Sequence, residues 1–141
     1  MPTKLVMIVG SPRLTRSTSY SIANYLKNGL SKKDFTLDIL FSHQAIKDES
    51  TVQNLITKTK EADIIGIIFP LYVDSIPGPL IQILETIQDQ QHMLTNKKLF
   101  TIVNSGFPEP YHSDLALDMI KQFSTETQAE FIGGLTIGAG G

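Results

Sequence analysis

Cysteine is absent from the 141 residues, which removes disulfides, thiolate nucleophiles and cysteine-ligated zinc or clusters from consideration. Any redox chemistry must therefore be borrowed from a cofactor. No apolar run approaches the length that crosses a bilayer, and the N-terminus reads directly into a strand instead of a basic, cleavable leader. A cytoplasmic protein without a membrane partner is expected. Charge of one sign is equally scarce. The 12 basic and 14 acidic residues leave a formal net charge of −2 with no long single-sign run, which argues against nucleic acid as a partner and for a small molecule. Three site signatures are also missing. There is no Gly-x-Ser-x-Gly elbow for a serine hydrolase and no Gly-Lys-Ser/Thr closing the first loop for Walker-type nucleotide hydrolysis. A phosphoacceptor domain would need carboxylates after the first strand, where Gly10-Ser11-Pro12 stand.

What is present is an alternation of two periodicities. Leu5–Val9, Ile64–Phe69 and Leu99–Val103 are short, rich in Val and Ile and not alternating, as strands buried on both faces read. Phe35–Leu40 alternates apolar and polar and suits an edge strand, and Glu130–Ile137 gives a fifth, glycine-interrupted strand. Between them run four helical stripes expected to face the core: Ile22, Tyr25, Leu26 and Leu30; Val52, Leu55 and Ile56; Leu80, Ile83, Leu84 and Ile87; Ala116, Met119, Ile120 and Phe123. Gly29 is placed as a helix stop and Pro79 in a first helical turn. With 41% hydrophobic residues and no repeat or linker, residues 1–141 are expected to form a single domain. Right-handed crossovers then predict an α/β fold with a doubly wound, five-stranded parallel sheet of order 2-1-3-4-5. In that order the loops after strands one and three, residues 10–19 and 70–78, flank one crevice, joined by Asn104–Tyr111 after strand four.

The first of these loops, Gly10-Ser-Pro-Arg-Leu-Thr-Arg-Ser-Thr-Ser19, crowds hydroxyls and arginines at the start of a helix. Backbone N–H groups there carry partial positive charge, the hydroxyls add donors, and Arg13 or Arg16 can neutralise an anion, so the loop reads as a phosphate site. The plainer reading is a capped strand-to-helix turn, since Ser and Thr are good N-caps in any protein. Phe69–Leu80 contains three prolines beyond Phe69 and offers Tyr72 as a flat surface for an aromatic ligand, or as a half-packed loop residue. Asn104-Ser-Gly-Phe107 supplies donors, a permissive glycine and a second aromatic, or simply a turn.

Taken in order, Gly-Ser-Pro-Arg with Ser17-Thr18-Ser19, then Pro70-Leu71-Tyr72 with Ser75-Ile76-Pro77-Gly78-Pro79-Leu80, then Asn104-Ser105-Gly106-Phe107-Pro108-Glu109, resemble the flavodoxin-like NAD(P)H-dependent FMN reductases and their multimeric flavodoxin relatives. The resemblance spans nearly the whole chain. It implies a flavodoxin-like domain with FMN as cofactor and NAD(P)H as transient reductant. It also implies that Ser11, Arg13, Ser17, Thr18 and Ser19 hold the FMN phosphate. Pro70, Leu71, Tyr72, Val73, Asp74 and Ser75 would wrap the isoalloxazine ring, with Asn104, Ser105, Gly106 and Phe107 lining its other side. Two departures stand out. Asp74 replaces a residue that is often small or neutral in relatives, and a carboxylate there would disfavour the anionic reduced ring and lower its potential. Pro79 and Gln82 stand where relatives often carry Gln and a Lys-Ala pair, which bears on a second molecule in the crevice. The sequence also stops at Gly138–Gly141, directly after strand five, where the fold calls for a terminal helix. A C-terminally truncated domain with that helix missing is expected, its bare sheet face marking a fragment or one covered by another subunit in a homo-oligomer.

The expected function is therefore hydride transfer from NAD(P)H through FMN to a small acceptor such as a quinone or another aromatic oxidant. No acid–base side chain is required. His92 after the third stripe, His112 at the start of the fourth and His43 after the edge strand read as surface or capping residues. The alternative is an FMN-binding electron carrier, or a truncated, non-catalytic oligomerising module.

Overall fold

The computed structural model describes residues 2–71, 76–90, 92–105 and 110–137. The expected segments Tyr72–Ser75, Gly106–Phe107 and Gly138–Gly141 lie outside the described residues. The elements are β1 (Thr3–Val9), α1 (Thr18–Leu30), β2 (Phe35–Phe41), α2 (Ser42–Ala45), α3 (Glu49–Glu61), β3 (Ile64–Leu71), α4 (Gly78–Asp89), β4 (Lys98–Ser105), α5 (Pro110–Glu126) and β5 (Glu130–Ile137). The strands form one parallel sheet of order β2-β1-β3-β4-β5, as the alternation predicts.

Burial explains why the central strands lack alternation. Val6, Ile8, Ile65, Ile67, Phe69, Leu99 and Val103 point into a core shared with α3, α4 and α5, whereas Leu5, Met7, Val9, Ile68 and Ile102 point to the opposite face. Among the described residues, α1 is the one helix whose side chains join that second cluster, through Tyr20, Ile22, Ala23, Leu26 and Leu30. Further along the same face Phe100 lies across Gly66 of the neighbouring strand. Any Cβ at position 66 would run into the ring, so the glycine is what lets Phe100 cover β3 directly.

Several details depart from the expectations. Tyr25 is 78% exposed and Met119 54% exposed, so neither belongs to the core. On α1 the buried face is set by Ser19 and Ala23, with Leu26 and Leu30 partly packed, and Tyr25 lies well off that axis at 100° per residue. On α5 the inward line is Ala116, Ile120 and Phe123, with Met119 on its flank. Gly29 does not stop α1. The helix continues to Leu30 and ends on Ser31, whose N–H donates to the Lys27 carbonyl. Pro79 does lie in the first turn of α4.

Candidate functional site

The C-terminal ends of β1, β3 and β4 meet where the strand order reverses, between β1 and β3. β1 ceases to pair with β3 at Val9 and Ile68, and the Gly10 N–H closes the junction by donating to the Ile68 carbonyl at 2.8 Å. A Cβ on Gly10 would stand 2.8 Å from Leu80 Cδ2, so a glycine there allows the first turn of α4 to approach the end of β1. β3 runs on past β1 with only β4 beside it, Pro70 opposite Asn104 and Leu71 opposite Ser105. The missing N–H of Pro70 falls where the ladder toward β1 has already ended.

The loop from Gly10 to α1 is built mainly by its own hydroxyls. Ser11 is 1% exposed, and its Oγ accepts from the Arg13 N–H at 3.3 Å. A single 3-10 turn covers Leu14–Arg16. Leu14 holds φ of 52°, a left-handed conformation that costs a non-glycine residue about 1 kcal/mol and that nothing in the sequence announces. Ser17 is the N-cap of α1. Its Oγ donates to the Leu14 carbonyl at 2.6 Å and accepts from the Tyr20 N–H at 3.0 Å, which fixes the turn to the helix. The N–H groups of Thr18 and Ser19, the first two residues of the helix, have no backbone acceptor among the described residues. Arg13, Arg16 and Thr18 are exposed around them.

Two contacts lock this helix end to its neighbours. The Tyr20 ring stacks on Phe41 at the end of β2, with centroids 5.7 Å apart. Fully buried Ser19 donates its hydroxyl to Asn104 Oδ1 at 2.6 Å. The structure thus brings Ser11, Arg13, Ser17, Thr18, Ser19, Pro70, Leu71 and Asn104 to one end of the sheet. For Ser105 only its place as the last residue of β4 is described, and Tyr72, Val73, Asp74, Ser75, Gly106 and Phe107 fall outside the described residues. Sequence reading overlooked Tyr20 and Phe41, whose only signal is two aromatics close to the expected ends of an α and a β element.

The donor set from Ser11 to Ser19 contains two guanidinium groups, hydroxyls and open helix N–H groups, and no carboxylate. That composition suits a phosphate monoester. The model of one protein family, NADPH-dependent FMN reductase, matches residues 3–137. The chain belongs to this family. As an FMN reductase it is an oxidoreductase that uses FMN and an NAD(P)H reductant.

Solved structures share its flavodoxin-like fold at low identity. An NADPH-quinone reductase from P. pentosaceus is 19% identical with a TM-score of 0.73, over 97% of this chain and 85% of that one. The general stress protein 14 from Treponema denticola, in complex with FMN, is 15% identical with a TM-score of 0.74, over 97% and 86%. A flavodoxin from Streptococcus pneumonia TIGR4 is 16% identical with a TM-score of 0.71, over 95% and 83%. No curated protein matches the chain.

The remaining candidates sit apart from this end of the sheet or at its margin. His92, at φ 62°, has Nδ1 3.3 Å from Gln128 Oε1, beyond the C-terminal ends of α4 and α5. His43 lies in α2, its Nδ1 3.3 Å from Ser42 Oγ, and burial pushes its pKa below the ordinary 6.5. Neither position makes it an obvious proton donor to a ligand on the β1–β3 crevice. Among the described residues no helix is long and apolar enough to cross a membrane.

Proposed function

We propose that the FMN reductase carries its cofactor in the β1–β3 crevice, phosphate on the start of α1, and passes hydride to a small aromatic acceptor such as a quinone. The observation that supports this most directly is the carboxylate-free donor cluster at a topological switch point, with open N–H groups at Thr18 and Ser19. Ser11, Arg13, Ser17, Thr18 and Ser19 form the phosphate end. Pro70 and Leu71 begin the wall against the ring, continued by Tyr72, Val73, Asp74 and Ser75, and Asn104, Ser105, Gly106 and Phe107 form the opposite wall.

When bound, FMN supplies the hydride-accepting and hydride-donating centre. The protein's part is positional and electrostatic. Arg13 offsets the phosphate charge, the α1 N-terminus adds its partial positive charge, and the proline-rich wall resists collapse when one substrate leaves and the next enters. No side chain need transfer a proton. Asp74 would oppose negative charge on the reduced ring and lower its potential. The protein is read as cytoplasmic. A homo-oligomer is also proposed, resting on exposed Leu135 and Ile132 of β5 and on the single-helix cover of the sheet face toward which β1 turns Leu5 and Met7. Light scattering on a gel-filtration column tests this, and a monomer at all concentrations removes it.

The deciding experiment titrates purified protein with FMN by fluorescence quenching, then adds NADPH or NADH without oxygen and follows the oxidised flavin band. Quenching followed by bleaching supports the reductase. Quenching without bleaching by either nucleotide favours an electron carrier, and no quenching at high FMN removes the reading altogether.

A further inference from the structure

A hydroxyl has a single proton to give, and the structure shows where two of the phosphate-loop hydroxyls spend theirs. Ser17 donates to the Leu14 carbonyl. Ser19 donates to Asn104 Oδ1 across 85 positions of sequence, from a fully buried position in the first turn of α1. Arg13 and Thr18, by contrast, are exposed. The loop therefore divides into side chains turned outward and side chains already used inside the protein.

Asn104 is the partner that gives this division a consequence. It is half-buried near the C-terminal end of β4, in register with Pro70 of β3, and the chain passes from it into the loop expected along the ring. Pro70 has no N–H to offer. A primary amide at a strand end can rotate unless something holds its oxygen, and Ser19 holds it at 2.6 Å. The other side of the same helix end is held by the stacking of Tyr20 on Phe41, so α1 offers a stiff support from which to hold it.

We infer that the Ser19 side chain is a positioning group and not a phosphate ligand: it holds Asn104 in place at the C-terminal end of β4, coupling the phosphate end of the crevice to the ring end. The inference rests on the reading that FMN occupies this crevice. Its distinguishing prediction is that Ser19 matters equally for a flavin that has no phosphate.

The test compares FMN with riboflavin, which carries the same ring without the phosphate, in fluorescence titrations of the wild type and five variants. Ser19→Ala and Asn104→Ala are each expected to weaken both flavins by a similar factor, about fivefold for one lost hydrogen bond. The double variant should bind no more weakly than Asn104→Ala, because the two changes remove the same contact. Arg13→Ala and Thr18→Ala should weaken FMN and leave riboflavin unchanged. Circular dichroism and thermal unfolding of each variant establish that it is folded, and Asn104→Ala removes the contact from the other side should Ser19→Ala be unstable.

A loss confined to FMN in Ser19→Ala makes Ser19 a phosphate ligand and overturns the inference, as does additivity in the double variant. Failure of the wild type to bind either flavin removes the FMN reading instead. The contact is then judged in the flavin-free protein by the side-chain amide signals of Asn104 in nitrogen-15 NMR. They should shift and broaden in Ser19→Ala, and unchanged signals overturn the inference.

Discussion

Ser17 shows how much of the candidate site is carried by single atoms. Its Oγ both accepts from the Tyr20 N–H and donates to the Leu14 carbonyl, so it caps α1 and holds a left-handed leucine in place. Ser17→Ala is expected to destabilise the protein by about 1 kcal/mol and to weaken FMN binding, checked by urea unfolding and flavin titration. Arg13 is exposed and contributes by charge. Its loss should weaken FMN about tenfold at low ionic strength and less at high salt, whereas the Ser17 effect should be nearly salt-independent. His43 brings a pH dependence of a different origin. Burial lowers its pKa in the folded protein, so the unfolded chain takes up the proton first. The stability associated with a neutral His43 is fully present above the ordinary value of 6.5 and falls as pH drops through it toward the lower folded pKa. Melting temperatures measured between pH 8 and 5 should show this decline, and His43→Gln should flatten it.

At the scale of elements, α3 is fastened at both ends by side chains. Asp48 is its N-cap, accepting from the Thr51 N–H and hydroxyl and from the Ser50 hydroxyl. Those hydrogen bonds, that of Ser50 foremost, hold the Asp48 pKa down at about 2. The cap's contribution is complete above the usual 3.8 and is lost as pH falls from there toward about 2. Asp48→Ala should therefore narrow the difference between the stabilities at pH 5 and pH 2.

At the other end Lys97 reaches over from the segment before β4. Its Nζ donates to the Lys60 carbonyl at 2.7 Å and to the Ala62 carbonyl. Desolvation lowers its pKa, with Asp63 pulling the other way. Lys97→Met keeps the aliphatic stem and removes both bonds, and is expected to cost about 1.5 kcal/mol in urea unfolding.

For the molecule as a whole, the two sheet faces are covered by different means. Among the described residues α2, α3, α4 and α5 carry the core on one face, whereas the other has α1 and, beyond it, side chains of the sheet laid on the sheet itself. Gly66 and Phe100 are the pair on which that arrangement depends. Gly66→Ala forces the ring off the strand and should destabilise by about 2 kcal/mol while exposing apolar surface. Increased binding of a hydrophobic dye and a lower denaturation midpoint would show both effects. An unchanged midpoint would mean that Phe100 can turn away without loss.

The five strands were legible from residue pattern because burial on one or both faces leaves a local mark. Ile64–Phe69 and Leu99–Val103 read as continuous apolar runs, Phe35–Leu40 as an alternating edge, and Glu130–Ile137 coincides with β5. Their order followed from the crossover rule, and with it the place where three loops converge. The four-residue α2 was not legible, being too short to display a helical period. Tyr25 and Met119 misled because a stripe of apolar residues is wider than the face a neighbour covers. By itself the sequence determined the parallel sheet, the donor-rich turn after β1 and the absence of thiol chemistry, all of which depend on residue type and short-range spacing. Only the tertiary structure decided that Ser19 gives its proton to Asn104, that Tyr20 rests on Phe41 and that Phe100 lies on Gly66. Each of these contacts joins residues distant in the chain, and a hydroxyl's partner is settled by which acceptor folding brings within its reach.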